Sequence, residues 1–385
     1  MINLLQYEIR KLLKNRKNRY LLLIAIVFLV FSYFYILNKH QSYIEDRIQI
    51  LNQDSNYAMR MVDYIEAYPD NLNPTQLRFW ENEANYAHKL KQYYSFPGIY
   101  DWQTAVSFSI ERDMNLIDGY EMQFITHSIY STEVYVKTLQ QQIEVNKHLL
   151  DHNIEPLSSP YYPNGLNTLN MLLSKEMILI LFTFIVIFFL DVLSAEMESG
   201  FFKTLYTSRF KRPMILFAKL IVSCVFALIL SLCFITIILF MTSLRHGYGN
   251  PLYPIAIFDQ NSTTEMVIMP LQTYVSYGYL HVGVHLLAII SFMVLIYFIA
   301  MDTTVTFSIL ISMFIFLYII GFNASGLANG SYYPLASYDY ALIMKSQGYD
   351  KMVLSNWLTL IYGLLASVIS LIRIKSIDIQ GETHS

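Results

Sequence analysis

The chain has 385 residues, of which 55% are hydrophobic and 14% charged, with a formal net charge of -3. Ordinary soluble domains carry about 25% charged and about 45–50% apolar residues, so this composition excludes a soluble globular enzyme and points to a membrane protein. The two cysteines, Cys224 and Cys233, fall in one apolar run and provide no disulfide framework for a secreted module.

At the start of the chain, Ile2, Leu5, Ile9, Leu12 and Leu13 fall within an arc of about 100° at helical pitch, with Arg10, Lys11 and Lys14 elsewhere on the wheel. Leu4 is the exception to the pattern. Residues 1–19 are therefore expected to form an amphipathic interfacial helix, its apolar face among acyl chains and its lysines near anionic headgroups. A solvated start that merely carries a topology signal is the alternative.

Six segments have the length and apolarity to cross a hydrocarbon core, which takes about 20 helical residues: Tyr20 to Leu37, Met177 to Ala195, Met214 to Leu244, Leu280 to Met301, Thr303 to Phe322 and Met352 to Ile372. An even count places both termini on one side. Three basic clusters then share that side: Arg10, Lys11, Lys14, Arg16, Lys17 and Arg19; Lys203, Arg209, Lys211 and Arg212; and Arg373 with Lys375. Positive charge in short flanks marks the cytoplasmic face. The first span starts too late, and lacks the small-residue cleavage site, for a removed signal peptide, and is expected to stay as an anchor.

Residues 38–175 form a polar insertion with 17 Asp and Glu against 10 Lys and Arg, expected to be extracytoplasmic, helical and attractive to cationic ligands. Asn73-Pro74 reads as an N-cap followed by proline at the first helical position. Leu77, Trp80, Ala84, Ala87 and Tyr94 keep coiled-coil-like spacing, as do Ile125, Ile129, Val136, Leu139, Ile143 and Leu150. Pro156, Pro160, Pro163 and Gly165 then break the pattern. Residues 176–375 hold the other five spans and residues 376–385 a cytoplasmic tail. Met301-Asp302-Thr303 is a tight hairpin in which Asp302 or Thr303 caps the next helix. The loops Arg245 to Tyr279 and Asn323 to Lys351 are long enough for short re-entrant or interfacial helices.

Catalytic chemistry is not evident. The G-x-x-x-x-G-K-[ST] phosphate loop is missing, so the chain is not expected to be an ATP-binding enzyme. Intramembrane ionisable groups are few: Asp191, Lys219 and Glu176, all close enough to an interface for anchoring or local pairing. His281 with His285, and His148 with His152, have metal-like spacing, but two ligands do not close a zinc site. His148-Leu-Leu-Asp151-His152 places Asp151 where the H-x-x-E-H metalloprotease pattern has Glu. No metal and no catalytic residue is assigned.

The most informative stretch is the connector between the second and third spans, 196–213. Met197, Phe201 and Leu205 recur every fourth residue, with Phe202 beside them, and Arg209, Lys211 and Arg212 precede Pro213 at the start of the next span. Glu196 and Glu198 suit the start of a short helix. A membrane-surface turn would explain this; so would a docking helix that offers aromatic side chains to a cytoplasmic partner.

With its acidic residue, glycine, leucine, Ser-Arg pair and lysine entering the third span, carried here by Glu196, Gly200, Leu205, Ser208-Arg209 and Lys219, the connector resembles that of ABC-2-type exporter permeases. The family's usual proline before the Ser-Arg pair is replaced by Thr207, and Phe201-Phe202 replaces the commoner small polar residue after Gly200. The large insertion after the first span is similar to that of sodium-extrusion-type and peptide- or bacteriocin-related permeases. The resemblance implies an all-α integral membrane protein with six transmembrane helices, in a bacterial plasma membrane, with both termini cytoplasmic. It further implies partner ABC ATPase subunits that bind ATP and magnesium, a second permease copy or a similar permease, membrane lipid and no nucleic acid. Glu196, Glu198, Gly200, Phe201, Phe202, Leu205, Ser208 and Arg209 are then the residues expected to couple to the ATPase. The cargo expected is an amphipathic or antimicrobial-type peptide, with sodium or small-drug extrusion as the alternative and a membrane-anchored ligand sensor as the reading from another class.

Overall fold

The computed structural model describes residues 2–68, 73–96, 98–125, 132–198, 211–258, 266–323, 336–346 and 348–376. Helix α1 covers Ile2–Lys14 and α2 covers Arg16–Ala67. Asn15 separates them, its side chain accepting from the Lys17 amide at 3.0 Å, while Asn18 Nδ2 donates back to the Leu12 carbonyl at 3.1 Å. The second helix is 52 residues long, about 80 Å at 1.5 Å per residue and more than twice a hydrocarbon core of about 30 Å. The first apolar segment and the start of the polar insertion are therefore one continuous helix. The composition changes near Leu37, but no proline or glycine follows to stop the hydrogen-bond ladder before residue 67.

Three further helices complete the insertion: α3 (Pro74–Ser95), α4 (Trp102–Glu121) and α5 (Thr132–Asp151). Asn73 caps α3 as its sequence predicts, accepting from the Thr75 and Gln76 amides, and Asp101 caps α4 through the Thr104 amide. The helices pack in succession, α3 on α2, α4 on α3 and α5 on α4. The stripe through Trp80, Ala84 and Ala87 is buried, and so are Leu139 and Ile143 of the second run. Ile129 lies outside the described residues. At Gly119 an added Cβ would run into the Phe79 ring, so glycine lets α4 approach α3.

The apolar part of the chain follows. Helices α6 (Gly165–Leu172) and α7 (Lys175–Glu198) form a pair bent by 72° over Gly165–Leu190. Helix α8 is Arg212–His246, with a proline in its first turn. Strands β1 (Pro254–Phe258) and β2 (Met266–Pro270) then form an antiparallel hairpin with Ile255 opposite Met269. Next come α9 (Leu271–Ala300), α10 (Thr303–Asn323), a 3-10 turn at Ala336–Tyr338, α11 (Tyr340–Ser346) and α12 (Tyr349–Ser376). The hairpin and the early start of α9 correct the expectation of short helices between Arg245 and Tyr279. Ile255, Ile257, Val267 and Ile268 give the paired segments a β-branched content that favours strands.

By length and composition, α2, α8, α9 and α12 can each cross a membrane, and the bent α6–α7 pair makes a fifth span if it counts as one. The fold is thus a multi-helix membrane bundle. Helix α9 is its central post: 67% of its apolar window is buried, against 28% in α2 and α12 and 11% in α8. It meets α12 through small residues, as membrane helices do where backbones approach closely. A Cβ at Gly363 would lie 3.1 Å from the Ala288 Cα, and Ser367 Oγ donates to Ser291 Oγ at 3.0 Å. Between α9 and α10, Met301 takes the left-handed conformation and Asp302 caps α10 through the Val305 amide at 2.8 Å. That turn is as the sequence predicts.

Candidate functional site

Helices α7 and α8 run into and out of the connector. Glu196 and Glu198 lie on the last turn of α7, and α8 begins at Arg212 with Lys211 as its N-cap residue. Gly200, Phe201, Phe202, Leu205, Ser208 and Arg209 lie outside the described residues, as do the side chains of Asp191, Glu196 and Glu198. What the structure describes is the frame that holds the connector's ends.

That frame includes α1. Leu4 is buried against Ile215 and Ala218 of α8, and Leu12 joins the main apolar core. Between them Glu8 is 0% exposed and faces Lys219 of α8, itself 3% exposed, with Oε1 and Nζ 3.2 Å apart. The protein-facing stripe of α1 is thus Leu4, Glu8 and Leu12, four residues apart. The expected arc was different: Leu13, placed within it, is 57% exposed, whereas Leu4, placed outside it, is buried. A hydrophobic wheel assigns an acidic residue to the water face, and here the acid is inside because a buried lysine meets it. Lys219 in an otherwise apolar span was the available signal, since a buried ammonium needs a counter-charge.

Lys219 therefore pairs locally instead of reaching for the surface. Removing either partner of a buried ion pair leaves an uncompensated charge and costs about 3–5 kcal/mol. The contact ties the helix that leads into α2 to the first turns of α8, beside the connector.

At the other end of α7, Lys175 Nζ lies 4.7 Å above the Tyr318 ring of α10, within the range of a cation–π contact. His281 and His285 are fully buried on α9, and their hydrogen bonds fix both tautomers. His285 Nδ1–H donates to the His281 carbonyl at 3.0 Å, which leaves Nε2 to accept from Ser337 Oγ at 3.3 Å. Ser355 Oγ donates to Ser337 Oγ at 2.6 Å, and His281 Nε2–H donates to the Ser337 carbonyl at 2.8 Å. The pair thus bolts α9 to the 3-10 turn and to α12. Ser337 and Ser355 had no sequence signal, because a serine in a loop and one in a span look alike until packing joins them.

His148 and His152, with the same spacing, stack at 3.9 Å between ring centroids on the surface of α5. Partial burial, and then the neighbouring His152, hold His148 below the ordinary imidazole range. Among the described residues no three His, Cys, Asp or Glu side chains converge as a metal site.

The polar insertion has its own buried charges. Arg112 of α4 donates through Nε to Glu83 Oε1 of α3 at 2.8 Å, and through an NH2 group to Asp54 of α2 at 2.6 Å. Burial raises the Glu83 carboxyl, and Arg112 only partly offsets it. Neighbouring Asp113 is pushed up to about 6 by burial, with Arg112 and Arg47 opposing and Glu83 reinforcing.

A family described as "ABC-2 family transporter protein" matches residues 2–372. No curated protein and no solved structure matches.

Proposed function

Because the chain belongs to the ABC-2 family of transporter proteins, it is a transmembrane permease of an ABC transporter that partners an ABC ATPase subunit, and we propose that the complex is an exporter of amphipathic or antimicrobial-type peptides. In this reading the protein crosses a bacterial plasma membrane six times, with both termini cytoplasmic, and works as a homodimer or beside a similar permease. ATP and magnesium belong to the ATPase subunits. The insertion faces outward, and its excess of acidic residues draws cationic peptides toward the mouth.

The observation that supports the mechanism is the Glu8–Lys219 contact beside the connector. ATP-driven closure of the ATPase subunits presses on Glu196, Glu198, Gly200, Phe201, Phe202, Leu205, Ser208 and Arg209. The movement enters α7 and α8 directly and reaches α1 and α2 through the buried pair. Cargo is released because the two conformations bind it with different affinity, the only way a conformational cycle can give direction.

Replacing Phe201 and Phe202 together by Ala tests the docking assignment. Loss of ATPase co-purification with normal membrane insertion is expected; unchanged co-purification refutes it. Cargo is tested by the ATPase rate of the whole complex in lipid vesicles. Stimulation by cationic amphipathic peptides supports the peptide reading, and stimulation by sodium alone replaces it with sodium extrusion.

A further inference from the structure

Where α2 leaves the bundle for the polar insertion it runs beside the end of α8 and the segment 152–164 that leads into α6, and a histidine is a partner in each of two hydrogen bonds made there. His40 of α2 lies 2.6 Å through Nδ1 from Ser159 Oγ of the segment, and His246 on the last turn of α8 lies 3.1 Å through Nε2 from the Tyr33 hydroxyl of α2. The segment, α6 and the end of α8 are tied to one another. Asn167 Nδ2 of α6 donates to the Pro160 and Tyr162 carbonyls, and the Gly165 and Leu166 amides donate to the Gly247 and Tyr248 carbonyls just past α8. The two histidines therefore join the helix that carries the insertion to one hydrogen-bonded corner of the bundle.

Donor and acceptor roles follow from the neighbours. Ser159 Oγ already accepts from the Tyr161 amide at 3.1 Å, so its own proton goes to His40 Nδ1. Tyr33, only 6% exposed, gives its hydroxyl proton to His246 Nε2. Both rings are thus neutral acceptors, and both histidines are half-buried, within reach of protons from water. A proton added at either acceptor nitrogen sets donor against donor. The charged groups around the rings then add repulsion: the two imidazolium ions act on each other, Arg245 adjoins His246 on α8, and Lys39 adjoins His40 on α2 with its ammonium 5.7 Å above the Tyr35 ring. From the segment, Tyr162 stands perpendicular to the His40 ring at 5.5 Å, and Tyr161 meets Tyr43 of α2.

We propose that His40 and His246 form an acid-released latch between α2 and the corner made by α6 and the end of α8, closed while both imidazoles are neutral and opened when they are protonated. Burial, and then His246, hold His40 below the ordinary 6.5; burial, and then Arg245, do the same for His246. The closed latch therefore binds fewer protons than the open one, so it is intact at neutral pH and is lost as pH falls below 6.5 through the folded values. Opening frees the root of the insertion from the bundle. The latch rests on no reading of the cargo, and its test needs no ATPase.

The full chain in lipid vesicles, with Cys224→Ser and Cys233→Ser, carries nitroxide labels on Ile50→Cys of α2 and Leu252→Cys beyond α8, both exposed positions, and the label separation is read by double electron–electron resonance. The ratio of long to short separations should rise at least about tenfold between pH 7.5 and pH 5. His40→Gln combined with His246→Gln should abolish that pH dependence. Each single variant keeps one titrating ring and should respond less steeply, which serves as the test should the double variant not insert. The control His148→Gln with Asp113→Asn, which removes titrating groups of the insertion itself, should respond as the wild type does. A wild-type separation that does not change with pH overturns the proposal, as does a response that keeps its full steepness in the His40 and His246 variants or disappears in the control.

Discussion

The two buried cations of the described structure, Arg112 in the polar insertion and Lys219 in the apolar bundle, solve the same problem differently. Arg112 spreads its donors over Glu83 and Asp54 and joins three helices; Asp54 is 39% exposed, so water reaches one edge of the cluster. Lys219 meets Glu8, and both are almost completely buried. A guanidinium is a planar fork able to bind two carboxylates, whereas an ammonium is a point charge on a flexible stem. Where three helices converge in reach of water, the fork serves; where α1 meets α8 among apolar neighbours, an ammonium is set against a carboxylate.

The comparison breaks first at Arg112. Arg112→Met leaves the buried Glu83 carboxylate facing Asp54 with no cation between them, at a cost of about 3–5 kcal/mol to the α2–α4 assembly. Hydrogen exchange in α3 and α4 should accelerate while exchange in α9 stays slow. Arg112→Lys should recover less than half of the protection, because an ammonium cannot hold both acids in the same geometry. Full recovery by lysine would show that charge alone matters there.

In the bundle the expected cost of a single change is similar, about 3–5 kcal/mol, and the rescue differs. Lys219→Met and Glu8→Gln should each loosen α1, exposing a cysteine placed at Leu4 to a water-soluble thiol reagent. The double variant should protect that cysteine again, since an apolar side chain and a neutral amide leave no charge stranded. If the double variant labels as fast as the singles, the pair is not what seats α1.

Helix α9 offers a contrast without charges. Its contact with α12 relies on Gly363 against the Ala288 backbone and on the Ser291–Ser367 hydrogen bond. Gly363→Val should force the two helices apart, costing about 1–3 kcal/mol, and a lower melting temperature in detergent is the readout. Ser367→Ala should cost about 0.5–1.5 kcal/mol, the net worth of one hydrogen bond.

How much of this was legible depended on whether the signal was local. The cap at Asn73, the turn at Met301-Asp302 and the stripe through Trp80, Ala84 and Ala87 follow from neighbours along the chain, and the sequence announces them. The β1–β2 hairpin was hidden by its setting: two short β-branched segments between long apolar helices also suit a re-entrant path. Glu8 was hidden because its partner lies more than 200 positions away, and only the pair explains why an acid sits on the buried side of α1. The connector's residues from Glu196 to Lys219 carry a family resemblance in the sequence, and Gly200 to Arg209 lie outside the described residues.

Asp113 gives a sign opposite to the usual acid. Its folded value of about 6 lies above the ordinary 3.8 because burial disfavours the carboxylate. Between those two values the folded state binds more protons than the unfolded state, so stability falls as pH rises through that window and levels off above it. Removing the charge with Asp113→Asn should therefore stabilise the insertion at pH 8, by on the order of 2 kcal/mol given a shift of about two units. The advantage should shrink as pH falls through 6 and vanish near pH 4. Protection of α4 amides, measured at both ends of that range in wild type and variant, checks the sign. Arg112, Arg47 and Glu83 all face this carboxyl, so the same experiment on the Arg112→Met background should enlarge the difference: the removed guanidinium was holding the Asp113 value down.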